Sequence, residues 1–448
     1  MPFFIKNAKD FIGKEVEIKG WVFSIRSSGS ILFLQVRDGS GFIQAVVSKN
    51  EVSPEIFATA QKVTVESSVA VLGLVKQESR SPSGFELQAK DLKVISLSQD
   101  FPIAPKEHGI DFLLENRHLW LRSQSQWAIL KIRNETTLAI NEFLQSQGYL
   151  RFDAPIITPS ACEGTTTLFP LPYLPSWPEN DQNFVSWLEK DEKRPYAYLS
   201  QSGQLYLEAA IASFGKVYDF GPTFRAEKSK TKRHLTEFWM MDAEAAFMEY
   251  DGLLELEEQL IHFVIQKVLE KCSDEFKILE RNTELLEAIK LPFARLTYDQ
   301  VVEKLKSLGS DIKYGQDLGN DDETLLMTHF KQPLFIMKFP SNLKAFYFKR
   351  DAQKPELTLS VDLLVPEGYG EITGGGQRED DYEELLKRLK EAGVNSLDYE
   401  WYLDLRKYGS VPHSGFGLGL ERLVAWLCKL EHVREAIPFP RTLYRFSP

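Results

Sequence analysis

The chain has 448 residues, of which 43% are hydrophobic and 26% are charged, and its formal net charge is −11. This length allows two or three domains with a large core, and the composition is that of an ordinary globular protein. The acidic balance excludes indiscriminate binding of nucleic acid, although a local basic cluster can still form a specific site.

The three cysteines are far apart in the sequence, and none belongs to a CxxC pair. This usage is typical of reduced packing thiols in a cytoplasmic protein. The first residues contain no signal-peptide core, and no apolar run approaches the roughly 18 residues of a membrane span. We therefore predict a cytoplasmic location and no membrane partner.

Residues 15 to about 97 are predicted to form strands and turns, with one short helix at about 54–61. Apolar and polar residues alternate in the segment 31–47, so that one face is formed by Leu32, Leu34, Val36, Ile43, Ala45 and Val47. Phe33 and Gln44 then lie on the outer face of adjacent strands. We predict a small β-barrel. An exposed ring beside an amide is how such barrels bind single-stranded bases, although a scattered surface phenylalanine is the alternative interpretation.

The segment 101–118 carries two prolines and a glycine, and we predict an interdomain linker there. It separates the barrel domain, residues 1–100, from a second domain over residues 119–448.

A helix opens the second domain, because apolar residues recur at helical spacing from Ile129 to Phe143 and Gly148 can end it. The next segment, 151–158, reads as a strand that contains Pro155. Proline removes a ladder hydrogen bond, which predicts an edge position. By periodicity alone this is any helix–strand unit.

Three polar residues then flank a loop at 170–195 that is polar enough to form a mobile lid. Glu163 precedes this loop, and Ser202 and Gln204 follow it. Ser202 also suits a helix N-cap. The residue types alone favour a structural role for all three.

A strand, a basic loop and a returning strand are predicted over 220–247. Side chains alternate along a strand, so Arg225 and Glu227 share one face. On the returning strand one face carries Phe238, Met240, Asp242 and Glu244. The loop is basic and contains Lys228, Lys230, Lys232, Arg233 and His234. Cationic side chains neutralise phosphates and a phenylalanine ring can stack on a purine, but an ordinary hairpin with a charged turn gives the same pattern.

The strings FRAE, RHL and EFWMMDAE in this segment resemble motif 2 of the class II aminoacyl-tRNA synthetases, in the aspartyl, asparaginyl and lysyl subgroup. The resemblance implies that Arg225 holds the α-phosphate of ATP and the carboxylate of the amino acid. It also implies that Glu227 receives the adenine amino group, that His234 reaches the outer phosphates and that Phe238 carries the adenine.

The N-terminal segments GWV and VRDGSG resemble the OB-fold anticodon-binding domain of the same subgroup. This implies that Phe33 stacks on the central anticodon base and that Gln44 reads the edge of that base, with Arg26 beside them. The helix and proline-bearing strand resemble motif 1, which implies a homodimer.

The amino-acid pocket follows from the same resemblance, with Glu163 near the substrate ammonium and with Ser202 and Gln204 as lining. Aspartyl relatives usually read SPQLxKQ where this chain reads SGQLYLE, so Leu207 replaces a lysine that pairs with the substrate's side-chain carboxylate. A buried carboxylate without a partner is costly, so a neutral carboxamide fits better.

We therefore expect asparagine as the substrate. Asp242 would accept from the carboxamide NH2, and Arg378 would donate to its oxygen.

Residues 251 to about 290 are predicted to be helical, and about 275–345 form a spacer without recognisable chemistry. Asp362 then lies on an apolar strand, and Glu371 precedes three glycines. Two carboxylates near a triphosphate suggest Mg²⁺. The string EITGGGQRE resembles the metal and substrate strand of the subgroup, which implies Mg²⁺ on Glu371 and Asp362. Gly374 stands where some aspartyl relatives have a serine for the metal.

The last segment, PHSGFGLGLERLVAW, resembles motif 3 of the class II enzymes. Arg422 would cover the second face of the adenine, opposite Phe238, although a buried helix cap is the alternative. His413 belongs near the amino-acid site without an assigned role.

Together these features predict an α+β protein with an N-terminal OB-fold barrel and a catalytic domain built on an antiparallel sheet flanked by helices. The predicted reaction is ATP-dependent activation of asparagine and its transfer to tRNA(Asn), with Arg225 and Arg422 as the catalytic residues. Two alternatives stay open, namely an aspartyl-tRNA synthetase, of the discriminating or the non-discriminating kind, and a catalytically silent RNA-binding paralogue.

Overall fold

A computed structural model describes residues 3–81, 83–104, 106–162, 168–171, 197–226, 231–394 and 396–448. The chain divides into two compact units, Met1–Leu113 and Leu114–Pro448. In the described residues, no helix combines the length and the apolar character that crossing a membrane requires. All three cysteines are buried thiols.

The first unit is a closed five-stranded barrel. Its strands are β1 (Glu15–Ser28), β2 (Ile31–Arg37), β3 (Phe42–Ser48), β4 (Ser68–Gln77) and β5 (Phe85–Ser96), and helix α1 (Pro54–Gln61) follows β3. The order around the barrel is β1–β2–β3–β5–β4, and only the β3–β5 pair is parallel. The predicted inward face of β2 and β3 is buried, which confirms the alternation there. The predicted helix at 54–61 is confirmed by α1.

Arg37 departs from the predicted alternation. The period-two alternation of β2 puts Arg37 on the outer face with Phe33, but Arg37 is buried, and its guanidinium forms a two-bond ion pair with Glu66, at 2.5 Å for each bond. The ion pair explains the burial, because a buried charge needs a partner.

The second unit is organised around an eight-stranded sheet. Its strands are β6 (Leu150–Arg151), β10 (Lys216–Phe224), β11 (Glu237–Ala246), β12 (Ala294–Thr297), β13 (Leu334–Met337), β14 (Ser360–Val365), β15 (Gly370–Gln377) and β16 (His413–Gly419). The order is β12–β13–β14–β15–β16–β11–β10–β6, and a smaller sheet holds β7 (Ile157–Thr158), β8 (Pro170–Leu171) and β9 (Ala197–Leu199). The six central strands are antiparallel, as predicted, and each outer strand pairs parallel with its neighbour.

Eleven α-helices are described in this unit, and a twelfth, α2 (Ile110–Glu115), crosses the boundary between the two units. The eleven are α3 (Arg117–Trp120), α4 (Gln124–Ser146), α5 (Gln204–Phe214), α6 (Tyr250–Lys271), α7 (Ser273–Ile278), α8 (Glu284–Glu287), α9 (Tyr298–Ser307), α10 (Asn320–Met327), α11 (Tyr382–Glu391), α12 (Glu400–Lys407) and α13 (Leu420–Cys428). Helix α2 lies within the segment that we predict as a linker. Helices α4, α6 and α13 share one apolar core with the sheet, so they cover one of its faces.

The predicted strand at 151–158 is wrong as a single element. Strand β6 lies at the sheet edge, as expected, but it ends at Arg151, before Pro155, and β7 begins only at Ile157 in the smaller sheet. Proline has no backbone N–H to donate to a ladder, and the chain changes sheets around it.

Candidate active site

The candidate site lies on the face of the large sheet opposite α4, α6 and α13, the face on which α5 also packs. Along β11, Met241, Ala243 and Ala245 belong to the helix-packed core, so the alternate residues point to the other side. That side borders a cavity of about 510 Å³. Of the predicted site residues, the cavity wall includes Ser202, Gln204, Arg225, His234, Phe238, Asp242, Asp362, Glu371 and Arg422.

Two predicted site residues, Glu163 and Glu227, lie outside the described residues, as do residues 172–195 of the predicted lid. Leu207 is described but does not line the cavity. It is fully buried in a small apolar cluster with Ala210, Ile211 and Val217. Position 207 therefore supplies no cation to the cavity, and the Leu207 side chain is not part of the cavity wall.

An aromatic ring and two guanidinium groups form the part of the cavity that suits a nucleotide. The Arg225 guanidinium lies 5.4 Å from the centre of the Phe238 ring. Arg422, in the first turn of α13, donates from Nη1 to the backbone oxygen of Glu371 at 3.0 Å and to its Oε2 at 3.2 Å. A flat ring beside fixed cations suits a purine with phosphates.

The two residues that precede α5 hold Asp242 in place. Oδ2 of Asp242 accepts from the Ser202 hydroxyl at 2.9 Å and from the Gly203 N–H at 2.8 Å. The Ser202 hydroxyl in turn accepts from the N–H of Gln204 at 3.1 Å and lines the cavity, whereas Gly203 is the N-cap residue of α5. Burial raises the pKa of Asp242, and the two hydrogen bonds oppose that shift.

Arg378, which we expect to donate to the substrate carboxamide, is paired with Glu244. Nη2 of Arg378 donates to Oε2 of Glu244 at 3.0 Å, and the two side chains are only 2% and 1% exposed. The guanidinium lies over the rings of Tyr347 and Phe348, which line the cavity. Among the described residues, Nη1 of Arg378 has no hydrogen-bond partner.

Sequence reasoning missed Glu244 as a functional residue. The alternation along β11 already put it on the face of Asp242, and this was the available signal. Burial raises the pKa of Glu244, while the Arg378 charge opposes the rise.

Two glycines of β16 leave room for the two acids of β11. Gly417 is paired with Asp242 and Gly415 with Glu244. A β-carbon at Gly417 would lie 2.7 Å from Oδ1 of Asp242, and one at Gly415 would overlap both the Glu244 carboxylate and the backbone oxygen of Ala243.

Asp362 and Glu371 converge around Gly374. A β-carbon at Gly374 would lie 3.1 Å from Oε1 of Glu371 and 3.5 Å from Oδ1 of Asp362. Two carboxylates that face one point fit Mg²⁺, which prefers oxygen ligands.

Lys344, which sequence reasoning missed, already pairs with Asp362, its Nζ lying 2.6 Å from Oδ2. Burial raises the pKa of Asp362 to about 6, although Lys344 opposes the shift. Burial also acts to raise the pKa of Glu371, but the charges of Arg422 and Lys344 lower it.

The three predicted anticodon residues form one patch on the barrel. Nη2 of Arg26 donates to Oε1 of Gln44 at 2.9 Å, and the Arg26 guanidinium lies 5.5 Å from the centre of the Phe33 ring. Phe33 and Gln44 are half-buried, so part of each surface stays accessible.

A closed barrel of a kind that binds nucleic acids thus precedes a domain whose cation-lined cavity suits a nucleotide. The family described as tRNA synthetases class II (D, K and N) matches residues 109–443, and the OB-fold nucleic acid binding domain matches residues 16–95. The chain belongs to the class II aminoacyl-tRNA synthetases of this D, K and N group.

The chain is similar to asparagine–tRNA ligases. Those of Pelotomaculum thermopropionicum and Desulforamulus reducens are each 50% identical to it over 444 residues, which is 99% of both chains. The crystal structure of the asparaginyl-tRNA synthetase from Pyrococcus horikoshii, complexed with asparaginyl-adenylate, matches with a TM-score of 0.92 at 43% identity and covers 100% of both chains.

The fit of Gly415 against Glu244 gives a direct test of the sheet geometry. We expect Gly415→Ala to lose soluble folded protein, because its β-carbon meets backbone that cannot move. Gly221→Ala on β10 is the matched control, since the nearest atom lies 3.6 Å from its β-carbon. Soluble yield and circular dichroism are the measurements, and a stably folded Gly415→Ala protein would contradict the geometry.

Proposed function

We propose that this protein is an asparagine–tRNA ligase, which activates L-asparagine with ATP and transfers the asparaginyl group to tRNA(Asn). The observation that supports the choice of asparagine is the buried ion pair of Arg378 and Glu244, because its guanidinium lies over Tyr347 and Phe348, two rings of the cavity wall.

The first step forms asparaginyl-adenylate. A carboxylate oxygen of asparagine attacks the α-phosphorus of ATP, the bond from that phosphorus to the bridging oxygen breaks, and pyrophosphate leaves. Arg225 neutralises the charge that develops on the α-phosphate, and His234 binds the outer phosphates. Phe238 and Arg422 enclose the adenine, whose amino group Glu227 receives.

Catalysis in this scheme is positioning and electrostatics, and no enzyme nucleophile is required. Glu371 and Asp362 would hold Mg²⁺, which supplies further positive charge to the triphosphate. Lys344 adds a fixed cation beside Asp362. In the second step a terminal ribose hydroxyl of the tRNA attacks the adenylate carbonyl, and AMP leaves.

Recognition of the carboxamide is assigned to Arg378 and Glu244. A carboxamide has one accepting and one donating end, and an adjacent guanidinium and carboxylate match both ends. Aspartate would instead bring a second carboxylate next to Glu244. Asp242, held by Ser202 and Gly203, is then left to accept from the substrate ammonium, together with Glu163.

We also propose a homodimer through motif 1. The residues around α4 and the edge strand β6 include large apolar side chains that are 44–54% exposed, namely Leu138, Leu150, Ile156 and Ile157. A second copy of the chain would cover them. The cytoplasmic location stays a prediction from the sequence.

The barrel patch of Arg26, Phe33 and Gln44 is proposed to bind the anticodon of tRNA(Asn). The Phe33 ring would stack on one base and Gln44 would read its edge.

The amino-acid specificity is tested by ATP–pyrophosphate exchange with asparagine and aspartate in parallel, with Mg²⁺ present. We expect exchange with asparagine and at least 100-fold less with aspartate, because aspartate leaves two carboxylates side by side. Exchange with aspartate at a similar rate would favour an aspartyl enzyme. Lack of exchange with both amino acids would favour an RNA-binding protein without catalysis.

The anticodon assignment is tested by Phe33→Ala. A stacked base is worth about 1–3 kcal/mol, so kcat/KM for tRNA should fall by roughly 10- to 100-fold while asparagine-dependent exchange stays unchanged. Phe33→Tyr keeps the ring and should retain most of the charging rate. Equal charging rates for the wild-type protein and Phe33→Ala would refute the assignment.

A further inference from the structure

Glu208 and Gln204 lie one turn apart on α5 and share a face of this helix. Gln204 lines the cavity, whereas Glu208 is not part of the cavity wall and its side chain is fully buried. Nε2 of Gln204 donates to Oε1 of Glu208 at 3.0 Å.

The second oxygen of Glu208 is held by three surrounding groups. Oε2 accepts from Nη2 of Arg406 at 2.6 Å and from the Tyr402 hydroxyl at 2.7 Å, and it lies 3.1 Å from Nε2 of His413. Arg406 is itself fixed, since its Nε donates to the backbone oxygen of Glu379 at 2.8 Å. The carboxylate of Glu208 therefore cannot rotate away from Gln204.

This fixed carboxylate determines the orientation of the Gln204 side chain. An ionised carboxylate only accepts hydrogen bonds, so only the NH2 end of the Gln204 carboxamide can face it. The ion pair with Arg406 and the contact with His413 keep Glu208 ionised, and its pKa lies well below the ordinary value although burial acts to raise it. The amide oxygen of Gln204 is then the end of the carboxamide that can accept a hydrogen bond from a ligand in the cavity.

We propose that Glu208 is a positioning residue for amino-acid recognition, because it holds the Gln204 carboxamide with its oxygen ready to accept from the ammonium group of the substrate. This inference rests on the proposed function, since it requires an amino acid in the cavity. It also gives His413 a role, as one of the groups that fix Glu208.

The test is Glu208→Gln, assayed by ATP–pyrophosphate exchange. A glutamine at position 208 can donate as well as accept a hydrogen bond, so either end of the Gln204 carboxamide can then face it. We expect KM for asparagine to rise at least 10-fold, with KM for ATP and kcat changed by less than about 2-fold. In a Gln204→Ala background, Glu208→Gln should add no further rise in KM, because its effect passes through Gln204.

Two further variants keep the test sharp. Tyr206→Phe removes a hydroxyl contact from the same helix, outside this network, and should leave both KM values unchanged. Glu208→Asp keeps the charge for Arg406 but shortens the reach to Gln204, so it should raise KM for asparagine selectively even where Glu208→Gln fails to fold.

Equal rises in both KM values, or additive effects in the double variant, would overturn the positioning role and leave the proposed function intact. A wild-type protein without asparagine-dependent exchange would overturn both.

Discussion

Two buried carboxylates on one face of β11, Asp242 and Glu244, constrain the sheet around them. A buried charge is costly unless it has space, hydrogen bonds and an opposite charge. The space comes from Gly415 and Gly417, paired with the two acids on the neighbouring strand. The glycine-dense segment of β16 is therefore required by the acids of β11, and glycine flexibility does not explain it.

Four buried charged side chains form two ion pairs in this part of the protein. Glu244 is bonded to Arg378, and Glu208 is bonded to Arg406. One ligand atom each from Glu208, Glu244 and His413 lie within 4.8 Å of one another, as at a metal site, but the two guanidiniums already supply the positive charge there. A neutral substrate side chain leaves this balance intact, whereas an additional carboxylate would disturb it.

Much of this arrangement could be predicted because it depends on local patterns. The period-two alternation identified the cavity face of β11 and the inner face of the barrel, and helical spacing identified α4. Pro155 likewise marked the sheet edge, although the strand could not continue through it.

The missed features depend on long-range contacts that no local pattern reports. The partner of Arg378 is Glu244, 134 residues away, and Lys344 pairs with Asp362 from a segment without a recognisable motif. Leu207 stands at an informative position, yet its side chain packs into a separate apolar cluster. Each of these outcomes was decided by tertiary packing.

The most direct measurement is calorimetric titration of the full-length protein with two non-hydrolysable sulfamoyl analogues, of asparaginyl-adenylate and aspartyl-adenylate. They differ only in the amino-acid side chain, for which we propose Arg378 and Glu244 as partners. A penalty of about 3 kcal/mol for a second carboxylate beside Glu244 predicts that the asparaginyl analogue binds at least 100-fold more tightly. Equal affinities, or tighter binding of the aspartyl analogue, would contradict recognition of a neutral carboxamide by this buried pair.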